Sequence, residues 1–152
     1  MAEKLEWSGW FKAANRMMGG LVKMGFTPNH TVLLIVPGRK SGVLRSTPVS
    51  LLELDGQRYV NAPYGVVDWV RNVRLTKTVQ LRVGRRMEQA VFEELSARDG
   101  APVLRQALRV APKLVRQRFG GLTADSPLED IEREAPKHPV FRVSSVQAVT
   151  QS

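Results

Sequence analysis

Thr47-Pro48-Val49-Ser50-Leu51-Leu52-Glu53-Leu54-Asp55-Gly56-Gln57-Arg58-Tyr59-Val60-Asn61-Ala62 is the stretch that decides the fold. An Asp-Gly pair between apolar runs favours a two-residue turn whose twist matches the strands it joins, so 47–54 and 57–62 are predicted to form a hairpin. Residues 78–83 and 87–95 repeat the pattern around Gly84-Arg85. Upstream, Thr31-Val32-Leu33-Leu34-Ile35-Val36 is a short, β-branched apolar run closed by Pro37-Gly38, which reads as a buried strand. The stretch His138-Pro139-Val140-Phe141-Arg142-Val143 reads as the last strand, with the chain after Ser144 expected to fray.

Between and around these strands the period changes. Trp7, Trp10, Phe11, Ala14, Met17, Met18 and Leu21 recur at helical steps, which predicts an amphipathic helix over residues 5–24 that ends or bends at Gly19-Gly20. A short helix is expected from about Val66 to Arg74, and a longer helical stretch over 99–118 that Pro112 breaks. Asp125-Ser126-Pro127 predicts one more helix start, running through Glu134. The sum is an α+β protein: one domain over 1–152, with an N-terminal helix in 1–26, barrel strands and an inserted helix in 31–95, a helical stretch in 99–134 and a final strand in 138–144. Hairpins with flanking helices suggest a small antiparallel barrel.

Composition narrows the chemistry. The 152 residues include no cysteine and two histidines, His30 and His138, so neither a disulfide framework nor a conventional zinc site is expected. No run approaches the roughly 20 apolar residues of a transmembrane helix, and no secretory signal is apparent, so a cytoplasmic location is expected. The net charge of +9 calls for an anionic partner: nucleic acid, an acidic membrane or a phosphorylated small molecule. Few aromatics interleave with the basic residues, which disfavours nucleic acid. The Trp and Lys/Arg residues of 5–24 also permit peripheral contact with a membrane, although packing on the barrel is the commoner role of such a helix.

The cations concentrate in Pro37-Gly38-Arg39-Lys40-Ser41-Gly42-Val43-Leu44-Arg45-Ser46-Thr47-Pro48. Glycines let backbone N–H groups turn toward an anion, Arg39 and Arg45 can grip phosphate or carboxylate with two parallel bonds, and Lys40 adds a compact charge. The spacing is not that of a Walker loop. A solvated basic hairpin loop stands as the alternative on chemistry alone. A second cluster, Tyr64-Gly65-Val66-Val67-Asp68-Trp69-Val70-Arg71-Asn72-Val73-Arg74, places Trp69, Asn72 and Val73 on one helical face. Here too the plain alternative, a core Trp with solvated arginines, remains open.

Taken in order, Gly38-Arg39-Lys40-Ser41-Gly42, Arg45, Thr47-Pro48, Tyr64-Gly65, Trp69 to Arg74 and Ala135-Pro136-Lys137-His138-Pro139-Val140-Phe141 resemble the deazaflavin-dependent nitroreductase family of actinobacteria. The resemblance implies a split β-barrel like that of flavin-mononucleotide-binding proteins, and coenzyme F420 (8-hydroxy-5-deazaflavin) as cofactor. It further implies that Arg39, Lys40, Ser41, Arg45 and Thr47 hold the coenzyme's phosphate and acidic tail. Pro48 and Ala62, Pro63, Tyr64 and Gly65 would flank the ring, Trp69 and Asn72 would brace the site, and Arg74 would reach the tail. Tyr64 is the candidate proton donor. The stretch before the Trp helix is shorter than the family's, and Phe119 stands alone where the family's late aromatic cluster lies. The implied acceptor is therefore quinone-like or lipid-like, and the alternative is a non-catalytic carrier on the same fold. Such proteins occur as monomers or homodimers.

Overall fold

The computed structural model describes residues 31–148. The helix expected over 5–24 lies outside the described residues. Six strands, β1 (Thr31–Pro37), β2 (Leu44–Leu54), β3 (Gln57–Asn61), β4 (Thr78–Val83), β5 (Arg86–Glu94) and β6 (Val140–Ala148), close into an antiparallel barrel in the order β1-β2-β3-β6-β5-β4. Closure leaves no unpaired edge along the ring. Both predicted hairpins form, with Leu54 opposite Gln57 and Val83 opposite Arg86.

Two expectations need correction. Strand β2 starts at Leu44 rather than Thr47, because Leu44 to Ser46 pair with Pro37 to Ile35 of β1 and extend the ladder into the basic stretch. The expected fraying does not begin at Ser144: β6 continues to Ala148, with Ser144 opposite Val91 and Ala148 opposite Glu88. A polar sequence hides this, since Ser144 and Ser145 belong to the outward half of a strand held by its neighbour rather than by its own burial.

The barrel interior is filled by alternate residues of the strands, among them Val32, Leu34 and Val36 of β1 and Val49 of β2, with Phe92 and Phe141 in ring contact at 5.7 Å. One mouth is plugged by α1 (Asp68–Thr76), which buries Trp69, Val70, Asn72 and Val73, and Trp69 meets Phe141 at 5.8 Å. Lys77, at φ 65°, ends α1 by returning its N–H to the Val73 carbonyl at 2.7 Å. A second core lies outside the barrel. There α2 (Ala97–Val110), α3 (Lys113–Arg116) and α4 (Leu128–Glu134) pack Leu104, Ala107, Leu108 and Ile131 against Leu52 and Val140. Pro112 separates α2 from α3, as its ring demands.

Candidate functional site

Where β1 turns into β2, the chain makes a tight loop with Gly38 N–H to Val43 O at 2.8 Å and Gly42 N–H to Gly38 O at 2.9 Å. Ser41 Oγ accepts from the Val43 N–H at 3.2 Å. A methyl group at Gly38 would stand 3.1 Å from Arg45 Nε and 3.2 Å from Ser41 Oγ, so a larger residue would push these side chains aside by a few tenths of an ångström. The loop borders a cavity of about 410 Å³ lined by Gly38, Arg39, Lys40, Ser41, Arg45, Asp68 and Asn72.

Helix α1 supplies the rear wall. Asn72, 3% exposed, accepts through Oδ1 from the Arg39 backbone N–H and from Arg39 Nη1, both at 3.1 Å. Asp68 lies 3.4 Å from Arg39 Nη2 and 3.5 Å from Arg71 Nη1. Arg39 is thus held by the protein, whereas Lys40 and Arg45 have no acidic partner among the described residues. Three cations face one carboxylate, and the two unpaired cations carry a charge that an anion would neutralise.

The expected site residues divide between places. Arg39, Lys40, Ser41, Arg45 and Asn72 converge on this cavity, and Trp69 braces α1 from the core side. Thr47 does not line it: in the longer β2, Thr47 shares the barrel-facing side with Val49, while Ser46, Pro48 and Ser50 face outward. Arg74 is also elsewhere, bound two ways to Glu94 at 2.9 and 2.8 Å beside a separate depression. This partner holds the Arg74 guanidinium more firmly protonated than usual, the hydrogen bond outweighing partial burial. Ala62 is buried in the barrel core and Tyr64 is exposed, with the Arg118 guanidinium 5.0 Å above its ring.

Pro63 belongs to a second cavity of about 50 Å³ at the other end of β1 and β2. Its walls are Leu52, Ala107, Val110, Ala111, Pro112 and Val115, with Thr31, Ser50 and Asn61 at its polar end. Asn61 and Thr31 are 5% and 4% exposed. Sequence reasoning missed Asp68, Thr31, Ser50 and Asn61 as lining residues. Asn61 carried a signal, a carboxamide at the end of an otherwise apolar strand. His138, expected to open the last strand, is instead buried before β6 and bonded to Pro63 O and Glu134.

The profile of the F420H(2)-dependent quinone reductase family matches residues 8–121. The chain belongs to this family. Coenzyme F420 is therefore the cofactor and the protein is an F420H2-dependent reductase. Among solved structures, an F420-H2 dependent reductase (FDR-A) aligns over 75% of this chain and 93% of its own, with 22% identity and a TM-score of 0.51. A chain described as a domain-swapped dimer aligns over 88% and 98%, with 20% identity and a TM-score of 0.53. A protein named as a putative pyridoxamine 5'-phosphate oxidase from Listeria innocua aligns over 78% and 85%, with 8% identity and a TM-score of 0.51. At these identities the likeness is one of fold, the split barrel. No curated protein matches the sequence.

Proposed function

We propose that this reductase holds the phosphate and carboxylate tail of coenzyme F420 in the cavity behind residues 38–45 and delivers its hydride to a quinone-like or lipid-like acceptor. The observation that carries the reading is the pair of unopposed cations, Lys40 and Arg45, converging on a cavity whose rear wall is fixed by Asn72. The cavity fits the group: a phosphodiester with glutamate carboxylates needs cations and hydroxyl or backbone donors, and Gly38, Ser41, Lys40 and Arg45 provide them.

When bound, the reduced coenzyme supplies a hydride. The chain's part is positioning and electrostatics. Arg45 and Lys40 would hold the coenzyme's anionic groups, and Asn72 keeps Arg39 and the loop backbone in register. Pro48 and the segment Ala62 to Gly65 are the residues proposed to flank the ring. Gly65, at φ 89°, gives its N–H to the Ala62 carbonyl at 3.1 Å and so turns the chain away after Pro63. Tyr64 is proposed as the proton donor, its exposed hydroxyl being free to approach an acceptor.

The acceptor class rests on the family, whose name gives a quinone. The slot beside Asn61, Thr31 and Ser50, at about 50 Å³, is far below the roughly 300 Å³ of a ligand pocket and would not hold such a body. A protein of 152 residues arranged in this way is proposed to be one functional domain, acting as a monomer or homodimer. Quenching of coenzyme fluorescence on titration tests the tail site. Saturable binding in the wild type that weakens in both Lys40→Ala and Arg45→Ala is expected, and an unchanged titration in both variants would refute it.

A further inference from the structure

His138 has no place in the cofactor reading, yet it is 4% exposed and its ring meets two acceptors in opposite directions. Nδ1 lies 3.0 Å from the Pro63 carbonyl oxygen, and Nε2 lies 2.9 Å from Glu134 Oε2. The Phe119 ring packs on it with centroids 4.5 Å apart. A carbonyl oxygen can only accept, and so can an ionised carboxylate. A neutral imidazole has one N–H and satisfies one of them, whereas the imidazolium has two and satisfies both.

The carboxylate persists into acid. The hydrogen bond from His138 holds the Glu134 carboxyl below its usual range, burial opposes, and the charges of Lys137 and His138 assist. The charged groups facing this cluster are Glu134 on α4, Lys137 in the following turn at 3.5 Å from Glu134 Oε1, and Arg118 from the Gln117–Phe119 turn, which covers Tyr64. Phe119 and Pro63 bring no charge. The segment Ala62 to Gly65 is thereby strapped at three points: Ala62 N–H to Pro139 O at 2.9 Å, Pro63 O to His138, and Tyr64 under Arg118. Of these, the middle strap depends on a proton at the imidazole.

The geometry points to His138 as a proton-dependent positioning residue for the loop Ala62–Gly65, tying Pro63 to Glu134 when its ring is doubly protonated and releasing Pro63 when it is neutral. The charge-assisted bond to Glu134 is the stronger of the two, so the neutral ring keeps Nε2–H there and turns a bare Nδ1 lone pair toward the Pro63 oxygen. The inference rests on the reading that this loop flanks the coenzyme ring. It makes coenzyme binding tighter with the His138 ring doubly protonated than with it neutral.

The test starts without coenzyme. The ring nitrogens of His138 and the backbone amide of Gly65 are followed by NMR in 15N-labelled full-length protein from pH 5 to 8. The expected result is an imidazolium at the acid end and a Gly65 shift that moves with the same midpoint. In Glu134→Gln the carboxamide can donate to a bare Nε2, so a neutral ring with Nδ1–H keeps Pro63 and the Gly65 shift stops following pH. In His138→Phe the shift should sit near the wild-type alkaline value throughout. With coenzyme, the wild-type KM for F420H2 should rise about 3- to 10-fold from the acid to the alkaline plateau of the His138 titration, the worth of one hydrogen bond. Over that range kcat should change less, and Glu134→Gln should be flat. A Gly65 amide indifferent to His138, or a Glu134→Gln variant with the wild-type pH profile, overturns the inference. Failure of the wild type to bind coenzyme would instead remove the cofactor reading, with the NMR titration still deciding the strap.

Discussion

At the scale of single residues, the basic loop separates into groups that build the site and groups left to bind. Arg39 is spent on Asn72 and Asp68, so its charge is partly used before any ligand arrives. Lys40 and Arg45 are not. Removing either should weaken coenzyme binding about 5- to 50-fold at low salt, less near physiological ionic strength, because exposed charges are screened over about 8 Å there. Titrations at two salt concentrations would show it. Asn72→Leu should act differently: it leaves the Arg39 backbone N–H unmatched in a part-buried place and should cost about 1–3 kcal/mol of stability as well as affinity, read by urea denaturation. Arg74, bound to Glu94, is the control, and Arg74→Ala should leave coenzyme affinity within about twofold. The loop's basic character was legible in the sequence because Gly, Arg, Lys and Ser advertise an anion. The diversion of Arg74 was not, since Glu94 is twenty residues away, on strand β5.

Among the elements, the two hairpins followed from Asp55-Gly56 and Gly84-Arg85, and the observed strands agree with them closely. The early start of β2 changes which side of the strand each site residue occupies. With side chains alternating, Thr47 goes to the barrel side and Pro48 outward, a distinction that a loop assignment leaves unset. Helix α2 is capped by Ser96 Oγ, which accepts the Asp99 N–H at 3.1 Å. Ser96→Ala should therefore lower stability by about 1 kcal/mol and leave coenzyme affinity unchanged, measured by thermal melting and fluorescence titration. Helix α4 has no side-chain cap, for Pro127 occupies its N-cap position. Asp125 and Ser126 close their own turn with Thr123.

For the whole molecule, charge sets how stability responds to acid. Glu88 is nearly buried: burial pushes its pKa up, but hydrogen bonds from Arg58 and Ser145 and the charges of Arg58 and Arg86 outweigh this and hold it below the usual carboxylate range. Glu134 is lowered as well. Both carboxyls bind protons more readily in the unfolded chain than in the folded one. They contribute stability that is fully present above the ordinary Glu pKa of about 4.3 and is lost as pH falls through their lower folded values. Denaturation midpoints measured from pH 6 to 3 should fall in the wild type, and less steeply in Glu88→Gln. No helix among the described residues is long and apolar enough to cross a membrane. Binding of the full chain to anionic liposomes, compared with a variant lacking residues 1–26, measures any surface contact.

The sequence by itself determined the hairpins, the anion-seeking loop and the helix that bears Trp69 and Asn72, because each depends on residues near one another in the chain and on short-range periodicity. Only the tertiary structure decided that Asn72 holds Arg39, that Arg74 faces Glu94, that Ser144 to Ala148 complete a strand, and that His138 joins Pro63 to Glu134. These are contacts between segments brought together by closing the barrel and packing the helical layer on it, and no local pattern encodes which partners that closure selects.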